Sequence, residues 1–197
     1  MRLFRASLAL NYIPQTWRKV RAVFIPKPGR TSYTDPKDYR PISLSSFLLK
    51  WIEKLLNRLI RDTVLKVNPL HPLQFAYQAG KSTETAHHYL ISKIEKAISN
   101  KEVALATFLD IAGAFDNTSF DAIMVAANKR GVDSTCVRWI HSMLRTRQIS
   151  STLFDTERVV VAERGCPQGG VLSPLLWCLV VDEILDSLNQ MGFCAQG

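Results

Sequence analysis

The 197 residues are 47% hydrophobic and 21% charged, an ordinary globular balance that excludes wholesale disorder. The net charge of +8 is unevenly placed: residues 1–100 carry 17 Lys+Arg against 6 Asp+Glu, and residues 101–197 carry 8 against 11. A basic half joined to a slightly acidic half suits a polyanion-binding surface beside a metal-binding one, although a merely solvated basic face gives the same count.

The opening MRLFRASLALNYIP begins basic, but Arg5 interrupts its apolar run and no small-residue cleavage site follows, so no secretory signal is expected. No apolar stretch reaches membrane-spanning length, so no span is expected either. Cys136, Cys166, Cys178 and Cys194 form no C-x-x-C pair. That argues against a zinc ribbon and fits a reduced, intracellular compartment, nuclear or cytoplasmic.

In chain order, residues 20–26 (VRAVFIP) read as a strand closed by Pro26. KPGRTSYTDPKDYRP is rich in turn residues and reads as an exposed basic loop. A helix is expected from about Ser46 to Val67. Leu48, Trp51, Ile52, Leu55, Leu56, Leu59 and Ile60 form its apolar side, with Lys50, Lys54, Arg58 and Arg61 opposite. Asn68-Pro69 and His71-Pro72 break that helix. A second starts at Ser82 or Thr83 and runs to about Ser99, with Ala86, Leu90, Ile94 and Ala97 apolar. Val103–Ile111 (VALATFLDI) reads as a strand buried on both faces, with Asp110 at its C-terminal tip. Two helices follow at about 118–130 and 134–146, separated by Gly131. Thr152–Val161 suggests strand structure, GCPQGG a glycine loop, and Ser173-Pro174 the start of a helix ending near Gln190. This is α and β structure without regular βαβ alternation.

A carboxylate that ends an apolar strand, as Asp110 does, needs a partner, a metal or a place at the strand's mouth. Magnesium takes one or two carboxylates together with phosphate oxygens, so Asp110 is a candidate ligand; a cap on the helix downstream is the plainer alternative. Gly80-Lys81-Ser82 mimics the end of a phosphate-binding P-loop, but the position of its first glycine is Phe75, so that reading fails. His87 and His88 are adjacent and point about 100° apart on a helix, which suits helix surface and not a shared metal.

Five segments, in order, resemble those of reverse transcriptases, in the style of non-LTR (LINE-like) retrotransposon enzymes. They are FIPKPG (24–29) with YRPISL (39–44), QFAYQAGKST (74–83), FLDIAGAFD (108–116) and RGCPQGGVLSP (164–174). The likeness spans about residues 12–197. It implies an α+β right-hand polymerase fold: fingers in 1–100, and in 101–197 the first part of a palm with an antiparallel sheet and packed helices. It also implies RNA-directed DNA polymerase chemistry, with an RNA template, a DNA primer and dNTP as partners and no membrane. By the same likeness Asp110 is the catalytic, metal-binding carboxylate of a two-magnesium site. Lys27 and Arg40 grip the triphosphate, Phe115 lies under the incoming sugar, and Gln168 and Gly169 meet the nucleotide. Gln74, Lys81 and Ser82 contact the template, while Asp116 is structural. The family's Y/F-x-D-D hairpin has no counterpart, since no D-D dipeptide occurs in the 197 residues. The chain alone is therefore expected to be inactive. A non-catalytic RNA-binding remnant, or a product that does not fold stably, stays open beside the enzyme.

Overall fold

The computed structural model describes residues 2–29, 31–153 and 156–197. Met1 of the opening segment, Arg30 of the basic loop, and Phe154 and Asp155 of the expected strand at 152–161 lie outside the described residues.

Eight α-helices and four strands are present among the described residues: α1 (Arg2–Ala9), α2 (Gln15–Arg18), β1 (Lys19–Pro26), β2 (Tyr39–Leu44), α3 (Phe47–Val67), α4 (Thr83–Ser99), α5 (Ala114–Asn117), α6 (Phe120–Arg130), α7 (Ser134–Arg145), β3 (Gln148–Leu153), β4 (Thr156–Val161) and α8 (Ser173–Gln190). A single 3-10 turn, Pro36–Asp38, precedes β2.

The helix ends follow local chemistry. Ser46 accepts from the Leu49 amide at 3.1 Å to start α3, and Ser82 and Thr85 cap each other's backbone at the start of α4. Gly131 ends α6 in the left-handed region, φ 90°, where a side chain is disfavoured, and its N–H reaches the carbonyls of Ala127 and Asn128. Asp133 receives the amides of Thr135 and Cys136 at the head of α7, and these bonds to the charged form hold its carboxyl below the usual range. Pro174 sits in the first turn of α8, where its missing N–H is harmless.

One core joins both halves of the sequence. Leu49, Ile52, Leu56 and Ile60 of α3 pack with Ile123, Ala126 and Ala127 of α6, Trp139, Ile140 and Leu144 of α7, and Leu175, Leu176 and Leu179 of α8. The Trp139 indole donates to Ser7 Oγ at 2.9 Å, tying α1 to α7. Arg130 forms an ion pair with the fully buried Asp182, which also accepts the His71 amide, so the turn after α3 is fixed to α6 and α8.

The sheet has the order β2-β1-β3-β4. The β1–β2 pair is antiparallel, with Ile25 opposite Arg40, and β3–β4 is an antiparallel hairpin; β1 and β3 run parallel, with Val20 opposite Ile149. Within 101–197, where an antiparallel sheet is expected, β3 and β4 pair antiparallel, and the four-stranded sheet as a whole is mixed. The chain leaves β1 through β2, crosses the core in α3–α7, and returns to the free side of β1 in the same direction.

Two expectations fail. Residues 102–111 form no strand, and Val103, Leu105, Phe108 and Leu109 are at least 80% exposed. A strand requires a ladder partner, and none of the four strands pairs with this segment, so its apolar side chains are left exposed. On α3 only part of the expected apolar side is covered. Ile52, Leu56 and Ile60 are buried, whereas Leu48, Trp51, Leu55 and Leu59 are exposed. The apolar residues span more of the helix circumference than the core contacts.

Candidate functional site

The glycine loop at 164–171 is held from several sides. The amides of Gly165 and Cys166 donate to the carbonyls of Thr118 and Phe115, at 2.8 and 2.7 Å, around α5. The Gln168 carbonyl accepts the Ser43 amide of β2 at 2.7 Å. From α3, Glu53 Oε2 accepts the Val171 amide at 2.9 Å and Asn57 Nδ2 donates to the Val171 carbonyl at 3.2 Å. Arg147, just ahead of β3, donates through Nη2 to the carbonyls of Gly165 and Arg164 at 3.0 and 3.3 Å. Ser173 Oγ closes the loop onto the Pro167 carbonyl at 2.8 Å.

Gly165 makes this docking possible. At φ +82°, a Cβ there would stand 2.5 Å from the Asp116 carbonyl oxygen, so the loop could not approach α5. Gly169, at φ +108°, makes a less tight approach to the Ser43 carbonyl, whose oxygen lies 3.0 Å from where a Cβ would be.

The two charges behind the loop are buried. Glu53 is 0% and Arg147 5% exposed. Among the described residues, Glu53 Oε1 and Arg147 Nε and Nη1 have no hydrogen-bond partner. Burial raises the Glu53 carboxyl, against the lowering effects of the Val171 amide, Lys50 and Arg147, and burial lowers the Arg147 guanidinium. Asp116 is likewise raised by burial, with Arg147 opposing, and the two line a cavity of about 180 Å³ together with Ser43 and Pro167. Burial also pushes the Cys166 thiol up to about 12, so it remains protonated and a poor nucleophile.

The loop gathers three of the motif segments. Phe115 is half-buried on α5, its ring 6.4 Å from Tyr77 and 6.1 Å from Trp177. Gln168 is half-buried and Gly169 exposed beside β2. Arg40 is exposed on that same strand, three residues from Ser43, and Lys27 follows β1 with its amide on the Asp38 carbonyl at 2.8 Å. Asp110 stays apart, exposed in the unpaired segment that leads into α5. It does not cap a helix: Gly113 occupies the cap position of α5.

Of the three residues expected on a template, Gln74 is buried, Lys81 half-buried and Ser82 exposed. Gln74 is 1% exposed and donates to the Cys178 carbonyl at 3.1 Å. The Lys81 ammonium donates to the carbonyls of Pro72 and Gln74, at 2.6 and 2.8 Å, and lies over the Phe75 ring; desolvation lowers its pKa. Ser82 caps α4. Their polar atoms shape the turn between α3 and α4. His87 and His88 are exposed on α4, as read from sequence.

A two-metal centre requires several converging carboxylates. Among the described residues no three His, Cys, Asp or Glu side chains converge to hold a metal, and Asp110 alone does not fit such a centre. Nor is any helix there long and apolar enough to cross a membrane.

Sequence reading missed Glu53 and Arg147. Glu53 did leave a signal, because it shares the helical stripe of Leu49, Ile52, Leu56 and Ile60, where a carboxylate is out of place. Arg147 left none, since nothing local distinguishes it from the other basic residues near the end of α7.

The profile of the family described as "Reverse transcriptase (RNA-dependent DNA polymerase)" matches residues 25–195. The chain belongs to the reverse transcriptase family. Its relatives include proteins of non-LTR elements in Drosophila melanogaster. It is 31% identical to the probable RNA-directed DNA polymerase from transposon BS over 92% of this chain and 20% of that protein. It is 33% identical to the corresponding X-element protein, over 90% and 19%, and 32% identical to the polymerase from mobile element jockey, over 92% and 20%. The chain therefore spans about a fifth of the length of these relatives. Reverse transcriptases as a family depend on divalent metal ions.

Proposed function

We propose that this chain forms the fingers (1–100) and the front of the palm (101–197) of a non-LTR retrotransposon polymerase, serving RNA-templated transfer of dNTP to a DNA primer. The observation that carries this reading is the loop at 164–171, which is bonded to both the turn holding Phe115 and the strand holding Arg40. In this reading Arg40, with five donors in a planar fork, and Lys27 grip the triphosphate. Phe115, braced by Tyr77 and Trp177, lies flat under the sugar and leaves no room for a 2′-oxygen. Gln168 and Gly169 present backbone and amide to the nascent pair. Asp110 contributes one carboxylate of a two-magnesium centre, and its remaining ligands come from a Y/F-x-D-D hairpin that these 197 residues do not contain. Gln74, Lys81 and Ser82 act by shaping the turn beneath Tyr77.

The test is primer extension on an RNA template, run with the 197-residue chain and with a chimera continued through the hairpin and thumb of the jockey relative. The expected result is magnesium-dependent product from the chimera alone, lost on Asp110→Asn. Product from the 197 residues alone would refute the need for further carboxylates. A folded but inactive chimera would refute the polymerase reading.

A second reading is favoured by the lone carboxylate at 110 and the basic first half: RNA binding without chemistry. It requires RNA affinity that falls steeply with salt.

A further inference from the structure

The exposed side of α3 combines two features that its core packing does not explain. Phe47 is 73% and Trp51 48% exposed, their ring centroids 6.1 Å apart at 67°. The rings are one helical turn apart, and Lys50 and Lys54 lie one turn apart beside them, so an aromatic row and a cationic row run in parallel. Together with Val171 these four residues line a shallow groove of about 240 Å³.

We infer that this groove binds a single-stranded nucleic acid, its bases stacking on Phe47 and Trp51 and its phosphates meeting Lys50 and Lys54. Three observations select that occupant. The lysines border the rings with charge complementary to a polyanion, and the acid on this stretch, Glu53, is fully buried behind them. Aromatic faces beside a cationic track suit single strands of any sequence, because every base offers a π-face. The groove also ends at Val171, directly after the glycines of the loop at 164–171. Glu53 and Asn57 of α3 bond the Val171 backbone on both its amide and its carbonyl, so the groove is fixed beside the loop. The inference extends the polymerase reading to a second contact, and rests on it only for which strand lies there.

The test uses the 197-residue chain and a fluorescein-labelled oligouridine, followed by anisotropy across a salt series. Phe47→Ala combined with Trp51→Ala is expected to weaken binding by roughly tenfold or more. Lys50→Gln combined with Lys54→Gln is expected to lower the slope of log affinity against log salt by about 1.4, the two phosphate contacts removed from a single strand. A readout that needs no disruptive variant is Trp51 emission: RNA should quench the unaltered chain more than Trp51→Phe. Unchanged affinity in both double variants would overturn the inference, as would equal quenching in the two proteins. Concentration-dependent dimerisation abolished by the aromatic changes, with RNA affinity intact, would make the face a protein-docking surface instead. None of these outcomes bears on the chimera's primer extension, so the two readings fail separately.

Discussion

The segments 164–174 and 108–116 both resemble palm motifs of the same family, yet the glycine loop of the first and the stretch 102–111 that leads into the second are in opposite physical situations. The first segment is bonded to β2, α3, α5, Arg147 and the head of α8. The second makes no backbone ladder, and its Val103 and Leu105 are more than 90% exposed. The glycine loop obtains its shape from partners within these 197 residues, whereas a buried strand takes its shape from neighbours on both sides. Motif likeness therefore does not by itself specify whether a segment finds the partners that order it.

The contrast is broken most severely at Gly165. Gly165→Ala should cost about 3 kcal/mol or more in denaturant unfolding, since it combines a positive φ with a Cβ 2.5 Å from the Asp116 carbonyl oxygen. A loss below about 1 kcal/mol would show that the loop slides off α5 easily, and the convergence of motif segments would lose its weight. Arg147→Met should come next, at about 3 kcal/mol. It removes two carbonyl partners of the loop and leaves Glu53 without its opposing charge. Neutral behaviour in the same unfolding assay would mean that Arg147 merely fills space.

Much of this was legible in the sequence where local chemistry decides. α3, α4, α6, α7 and α8 fall within about two residues of their expected limits, because Ser46, Ser82, Gly131 and Ser173-Pro174 satisfy or terminate helix ends by themselves. The first half of β2 was hidden inside the turn-rich stretch 27–41, because Pro41 reads as a breaker. It is tolerated since β2 lies at the edge of the sheet. The parallel β1–β3 pairing was not legible, because it joins residues more than a hundred positions apart. In the candidate site, Phe115, Gln168 and Arg40 were named from motif likeness, but Glu53 and Arg147 act through burial, and burial is a property of the assembled core.

A smaller effect sharpens the loop side of the comparison. Glu53 has its carboxyl raised by burial, so the native state holds its proton in a window just above the ordinary carboxylate range where the unfolded state has lost it. Its contribution to stability is complete below the unfolded pKa and is lost as pH rises through the folded one. Glu53→Gln keeps an acceptor for the Val171 amide and cannot ionise. Unfolding measured from about pH 4 to pH 8 should show the unaltered chain losing stability relative to the variant as pH rises. Parallel curves would mean that Glu53 is charged throughout, paired with Arg147 in solution.

The smallest effect belongs to the exposed segment and is the most informative about it. Phe108→Ser and Asp110→Asn should each change stability by less than about 0.5 kcal/mol, since neither side chain is enclosed. Amide exchange should agree: residues 103–111, which donate no backbone hydrogen bond among the described residues, should exchange far faster than Ile52 or Leu176. In the jockey chimera the same two substitutions should separate. Phe108→Ser should there cost stability, because an added strand would cover the ring, while Asp110→Asn should cost activity. If Phe108→Ser already destabilises the 197-residue chain by more than about 1 kcal/mol, the segment is packed without any added strand, and the contrast with the glycine loop disappears.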